Sequence, residues 1–225
     1  MTSYCTYPVE AAEKEIIGGP NNPNIEKIFS LSPDLVVGVS GINRTQVIEK
    51  LRDLGLEVVV FDACNTFDAV EKVLIELGKL TGKEEKTGEV MKEVKRTVRT
   101  VTEKLKNVPR VKVFWEVGAR PLVSAGGKSF ANEFIRRSGG VNIFADIPLE
   151  YPRVSREEVL RRNPEAIMLV TMGDVTEKEK LYWQEFGELA AVKNNRIYVI
   201  DADVVCRPGP ASFLMGLVRV ARALH

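Results

Sequence analysis

Asn24-Ile25-Glu26-Lys27-Ile28-Phe29, followed by Ser32-Pro33-Asp34-Leu35-Val36-Val37, decides the fold because it recurs. Displaced by 131 residues and without a gap, Ser155-Arg156-Glu157-Glu158-Val159-Leu160 and Asn163-Pro164-Glu165-Ala166-Ile167-Met168 repeat it. Each copy reads as a helix cap, a two-turn helix, a polar-Pro-acid turn and a buried strand. Further on, Asp62-Ala63 and Asp201-Ala202 each close a strand, now 139 residues apart, so the two halves differ by a small insertion. Self-similarity on this scale means that two related α/β substructures make up the chain.

Around the first copy the pattern is strand (34–39), helix (43 to about 54, stopped by Gly55) and strand (Val58 to Phe61). That alternation is the signature of a parallel sheet covered by helices. Phe67, Val70, Val73, Leu74 and Leu77 then share one helical face. Residues 83–106 carry charges throughout, with Val90, Met91, Val94, Val98, Val101 and Leu105 spaced by three and four, and Pro109 ends the run. A helix of about 24 residues spans about 36 Å, where about 12 residues is ordinary. It is either a surface helix on one sheet or a rod joining two lobes. Alternation resumes with a strand at 111–115, helices at 129–138 and 155–162, a strand at 166–170, a helix at 177–186, a strand at 196–200 and a last helix at 211–224. The expected fold is α/β: two α/β lobes with central, mainly parallel sheets, 1–82 and 109–225, joined by one long backbone helix, 83–108.

Composition narrows the function. With 225 residues, 44% of them hydrophobic, the chain can bury one large core or two modest ones. Lys plus Arg is 32 against 31 Asp plus Glu, with no long basic run, so nothing points to nucleic acid as a partner. No apolar stretch approaches the about 18 residues of a membrane span, and Met1-Thr2-Ser3-Tyr4-Cys5 lacks the basic and apolar regions of a signal peptide. The chain is therefore cytosolic or a processed form of an exported protein. Cys5, Cys64 and Cys206 are dispersed and the only histidine is His225, which argues against a Cys/His metal site and leaves a disulfide unassigned. No paired nucleophile and base and no G-x-S-x-G stand out, so no catalytic residue is expected. Gly126-Gly127-Lys128-Ser129 lacks the spaced glycine of a phosphate loop.

Asn24 and Ser155 fit as N-caps, which places Glu26 and Glu157 in the first turns of matched helices. Two readings stay open: the acids complement the helix dipole, or they form an exposed pair that grips a basic partner.

Several stretches carry a family resemblance: Ser3-Tyr4-Cys5-Thr6-Tyr7-Pro8, Gly18-Gly19 to Asn22-Pro23-Asn24-Ile25-Glu26, Leu31-Ser32-Pro33-Asp34-Leu35-Val36, Ala125-Gly126-Gly127-Lys128-Ser129-Phe130, Gly139-Gly140-Val141-Asn142-Ile143-Phe144 and Pro152-Arg153-Val154-Ser155-Arg156-Glu157. Over essentially its whole length the chain resembles the periplasmic binding proteins of ABC importers for vitamin B12, ferric siderophores and haem. The Ser-Tyr-x-x-Tyr-Pro opening and Tyr151-Pro152-x-Val154-Ser155-Arg156-Glu157 are closest to the cobalamin-binding branch. Pro20 departs from it, standing where a cobalamin receptor carries a cleft tryptophan.

The resemblance implies capture of a corrinoid, or alternatively of a ferric siderophore or haem, between the lobes. It implies delivery to an ABC permease and its ATPase subunits, a periplasmic or extracytoplasmic location with a membrane anchor in the precursor, and no cofactor beyond the ligand itself. Glu26 and Glu157 match the family's acidic docking residues, which bind permease arginines. Loop positions supply the candidate ligand contacts Tyr4, Tyr7, Asn22, Gly41, Trp115, Arg120, Tyr151, Asp203 and Arg207. Tyrosine and tryptophan offer flat surface at low entropic cost, and Arg120 and Arg207 suit carboxylate, phosphate or propionate groups. Trp115 can equally be a core residue of the sheet, and Arg207, before Pro208-Gly209-Pro210, a loop-fixing hydrogen bonder. Family members have a strand and helix ahead of the Ser-Tyr-x-x-Tyr-Pro motif. The first lobe is therefore expected to lack a sheet element, with an edge open to pairing in a homodimer.

Overall fold

In the computed structural model, residues 1–172 and 177–225 are described. They divide into two compact units, Met1–Ala63 and Cys64–His225. The boundary falls ahead of the expected one at residue 82, because the helices that follow Ala63 pack with the second unit.

The first unit holds a 3-10 helix, Val9–Glu13, then β1 (Gly18–Gly19), β2 (Asn22–Pro23), α1 (Ile25–Ser30), β3 (Val36–Val39), α2 (Thr45–Asp53) and β4 (Val58–Phe61). β1 and β2 form a short antiparallel pair. β3 and β4 run parallel, Val36 opposite Val58 and Val39 opposite Phe61. The unit's core is small: Ile28, Ile48, Leu51 and Val58, joined by Ile17, Ile25, Val36, Val47, Leu56 and Val60. Ile48 and Leu51 come from α2 at a spacing of three, the apolar stripe of an amphipathic helix.

The second unit comprises α3 (Phe67–Leu80), α4 (Glu84–Lys104), β5 (Val111–Ala119), β6 (Leu122–Ser124), α5 (Phe130–Arg137), β7 (Gly140–Asn142), α6 (Arg156–Arg162), β8 (Ala166–Val170), α7 (Glu177–Gln184), α8 (Ala190–Lys193), β9 (Ile197–Ile200), α9 (Ala202–Val205) and α10 (Pro210–Leu224). Its sheet has the order β6-β5-β8-β9, with β7 also on β5. β5, β7, β8 and β9 are parallel, and β6 is the antiparallel exception.

Both faces of this sheet are covered, so its strands are continuous apolar runs rather than alternating ones. Val113, Trp115, Met168 and Val170 face a core built with α3, α4, α5 and α10. Their neighbours Phe114, Ile167 and Leu169 face a second core with Val159, Trp183, Leu189 and Ala191. The period of two along each strand distributes the side chains between these cores. α4 lays Met91, Val94 and Val98 into the first core.

The repeat is legible in the backbone. Asn24 Oδ1 accepts from the Lys27 amide at 2.8 Å and Ser155 Oγ from the Glu158 amide at 3.2 Å. Each helix is followed by a left-handed residue just before proline, Ser32 (φ 44°) and Asn163 (φ 46°). After β3, which buries only Gly38 where a buried strand was expected, and after the fully buried β8, the Ser40 amide donates to Phe61 O at 2.8 Å and the Thr171 amide to Ile200 O at 3.0 Å. Each of these pairs holds the displacements read in the sequence.

Several elements differ from the sequence expectation. β5 continues four residues beyond Trp115, because Glu116 to Ala119 pair with β6; the polar Glu116 interrupts the apolar run that marks the strand. α4 closes at Lys104 rather than beyond it, with Leu105 as its cap. α8 and α9, four residues each, are too short to leave a periodic signal.

Phe134, with no exposed surface, lies at the centre of the larger core. It stacks on Phe213 at 5.0 Å and parallel to Trp115 at 6.3 Å, and meets Phe130 edge-on at 5.1 Å. Phe134→Ala should therefore cost about 3–5 kcal/mol. Urea unfolding should show this as a lowered midpoint at unchanged slope, and a cost under about 1 kcal/mol would contradict the packing described.

Candidate functional site

In the second unit Arg120, Tyr151 and Arg207 stand on loops, Asp203 in the short helix α9 that follows β9, and Trp115 within β5. Tyr151 sits on the segment that crosses back over residues 124–128. The Gly126 amide donates to Glu150 O at 2.8 Å, the Gly127 amide to Ile147 O at 2.9 Å and the Ser124 amide to Pro152 O at 3.0 Å. This approach needs glycine: a Cβ at Gly126 would lie 2.2 Å from Leu149 O, and one at Gly127 2.3 Å from Ala145 O. The Gly-Gly-Lys-Ser sequence thus serves as a backbone bed for the Tyr151 segment, its glycine amides already committed to carbonyls.

Tyr151 is 48% exposed. Crowding by protein atoms, reinforced by the charges of Cys206 and Glu150, pushes its phenol up to about 12. It is therefore a neutral, flat surface with a hydroxyl at neutral pH. Glu150 beside it accepts from Asn65 Nδ2 at 2.7 Å. Asp203 and Arg207 belong to the same neighbourhood. The Arg207 guanidinium holds Asp203 Oδ1 through Nη2 at 2.6 Å and Nε at 3.0 Å, and the Asp203 amide donates to Asp201 Oδ1 at 2.9 Å. The Cys206 thiol donates to the Met172 thioether at 3.3 Å. Met172 and Cys206 were not expected from sequence; neither follows a spacing rule, and only the meeting of the loops after β8 and α9 joins them.

Arg120 stands at the turn between β5 and β6, 71% exposed, with Nη1 4.0 Å from Glu179. Trp115 is different. It is 1% exposed and packed in the larger core, so of the two readings open for it the core residue describes it, and it offers a ligand no surface.

In the first unit Tyr4 and Tyr7 expose 75% and 53% of their surface. Asn22 lies in the β1–β2 hairpin and Gly41 in the turn after β3, where φ of +75° suits glycine. The Asn43 side chain ties these two loops, donating to Pro20 O at 2.8 Å and accepting from the Val39 amide at 2.7 Å. Ser40 adds a bond to Asp62 Oδ1 at 2.9 Å.

Glu26 and Glu157 are both exposed in first helical turns, as the capping pattern requires. The Glu157 carboxyl is held below its ordinary range by its own backbone amide and the Ser155 hydroxyl. Among the described residues, no group of three or more His, Cys, Asp or Glu is placed to hold a metal ion, and no helix is long and apolar enough to cross a membrane. Two surface depressions of about 500 and about 580 Å³, one on α10 and one beside α6, involve none of the candidate residues.

Comparison with known proteins gives one family. The model for periplasmic binding proteins matches residues 1–204. The vitamin B12-binding protein of Vibrio parahaemolyticus is 26% identical over 204 residues, 91% of this chain and 73% of the relative. An uncharacterized ABC transporter substrate-binding lipoprotein of Bacillus subtilis, YvrC, is 31% identical over 231 residues, all of this chain and 72% of the relative. Among solved structures, the periplasmic vitamin B12 binding protein BtuF of Vibrio cholerae superposes with a TM-score of 0.85 at 26% identity, covering 99% of this chain and 86% of that one. The periplasmic heme-binding protein BhuT, with two hemes, gives 0.84 at 20% identity over 98% and 87%, a likeness of fold alone.

The three cysteines are free. Burial, and then the Asp203 charge, push the Cys206 thiol up to about 11, and burial also raises Cys64. The thiolate is the reactive form, so Cys206 should alkylate slowly with iodoacetamide at pH 8 and speed up only as pH climbs toward 11. Labelling of Cys206 at pH 8 as fast as a free thiol's would contradict this.

Proposed function

The chain belongs to the periplasmic binding protein family, and we propose that it is the receptor of an ABC importer that captures a corrinoid and hands it to a membrane permease. The observation that carries the ligand reading is the exposure of three tyrosines on loops, Tyr4 and Tyr7 in the first unit and Tyr151 in the second, at 75%, 53% and 48%. Tyrosine presents a large flat face with a polar hydroxyl at low entropic cost, and a corrin offers a matching flat face. Asn22 and Gly41 add polar groups in the first unit, and Asp203, Arg207 and Arg120 in the second; corrin side-chain amides suit Asn22 and Asp203. The relatives named as vitamin B12-binding proteins support the same ligand.

Glu26 and Glu157 are proposed as docking acids for arginines of the permease, which works with its ATPase subunits. Their matched positions in the repeat are what a pseudo-symmetric partner requires. The family and the lipoprotein relative support an extracytoplasmic site of action and a membrane anchor in the precursor. A homodimer through the first unit rests on the edges of its two-stranded β3–β4 sheet.

Haem or a ferric siderophore is the second reading. Arg120 and Arg207 favour it, since guanidinium groups pair with propionate or other carboxylate oxygens, and heme-binding proteins share the fold.

Calorimetric titration with cyanocobalamin, haem and a ferric hydroxamate in parallel separates the readings. The corrinoid should bind saturably at one site, and Tyr151→Ala should weaken it by about tenfold, the loss of one buried aromatic contact. Saturable haem binding without corrinoid binding would replace the first reading with the second. Binding of none of the three would remove both.

A further inference from the structure

α6 is two turns long, and helices this short do not hold themselves in place in water. Its first residue is electrostatically misplaced, because a cation in the first turn opposes the helix dipole. Arg156 nevertheless occupies that position. Its Nη2 lies 3.1 Å from Glu179 Oε1, and its guanidinium is stacked 4.6 Å from the centre of the Tyr182 ring. Both partners come from α7. Glu179 is only 3% exposed. A carboxylate that deep is costly unless a cation meets it, and breaking such a pair leaves the other charge stranded. The second oxygen of Glu179 lies 4.0 Å from Arg120, so one carboxylate faces arginines from two separate elements. One residue along from Tyr182, Trp183 Nε1 donates to the fully buried Glu116 at 2.7 Å, which anchors α7 to β5.

At the other end of α6 a separate set of ion pairs fixes the last turn. Arg162 meets Asp146 at 2.6 Å and Glu158 at 2.6 Å, and its guanidinium lies 4.6 Å over Phe144. Val159 is fully buried between the two ends. The first turn, which bears Glu157, is therefore tethered through Arg156.

We propose that Glu179 is a positioning residue: through Arg156 it fixes the first turn of α6 and so the placement of the Glu157 carboxylate for docking. Its functional meaning rests on the docking role proposed above for Glu157. Glu179 stays out of contact with the partner and acts by holding the side chain next to the one that makes the contact.

Two readouts on Glu179→Gln test this. In the free protein, carbon-13 NMR titration of the Glu157 carboxyl reports whether Ser155 and the helix amide still hold it. The expected result is a shift upward toward an ordinary glutamate. Against the cognate permease–ATPase complex in lipid nanodiscs, Glu157→Gln should weaken capture by about tenfold. Glu179→Gln should weaken it in the same sense, and the double variant should be no worse than Glu157→Gln alone. A loss of stability alone would leave the Glu157 titration in place and add to the docking loss. Should Glu179→Gln fail to fold, the paired Arg156→Met/Glu179→Gln variant, which strands neither charge, reads the same quantities. An unmoved Glu157 titration, or a fully additive double variant, would overturn the proposal. Capture that ignores Glu157→Gln while the titration moves would sink the docking reading and leave Glu179 the positioning residue of that turn.

Discussion

The second unit depends on a sheet closed to water on both faces. All five residues of β8 are fully buried, and Val113, Phe114 and Trp115 beside it expose 1% or less. Burial of that kind supplies the apolar area that offsets chain entropy, and it also dictates where chemistry can be. A side chain on these strands must belong to a core, so polar and aromatic groups offered to a ligand must stand on the loops at the strand ends. Tyr151 and Arg207 are there, and Asp203 is in the short helix α9 just after β9. Trp115, one of the residue types best suited to a flat ligand, is excluded because it stands within the strand.

The same constraint explains the unusual polar groups inside. Glu116 and Glu179 are carboxylates in a region built from phenylalanine, tryptophan and leucine. Each is met by a specific donor: the Trp183 indole for Glu116, the Arg156 guanidinium for Glu179. An ion pair to a buried carboxylate, such as Arg156–Glu179, contributes little net stability compared with apolar packing. The effect of these contacts is directional, tying α6 and α7 to one another and to β5 in a single arrangement. Arg120, proposed as a ligand contact, and Arg156, proposed to position the docking acid, both face the Glu179 carboxylate.

Much of this was legible in the sequence because it is local. The Asn24 and Ser155 caps, the turns before Pro33 and Pro164 and the strands that follow are set by residues within a few positions of each other, and the repeat doubled the signal. The exposure of Glu26 and Glu157 followed directly from the caps. What stayed hidden is what tertiary packing decides. Trp115 could be core or cleft until the sheet's second face was seen to be covered. The Met172–Cys206 pair, the Asn65–Glu150 bond and the Glu179–Arg156 pair join residues 23 to 85 positions apart, and no motif announces them. α3 reads as part of the first half by sequence order but packs with the second unit, because Phe67 stacks on Phe213 at 4.6 Å.

The central claim is that this chain delivers a corrinoid to a permease by means of two matched acids. Uptake of radiolabelled cyanocobalamin into proteoliposomes that contain the cognate permease–ATPase complex tests it most directly. Uptake should require ATP and this protein, and Glu26→Ala/Glu157→Ala should abolish it while leaving cyanocobalamin binding intact. Uptake that proceeds equally well without the protein, or with both acids removed, would contradict the account.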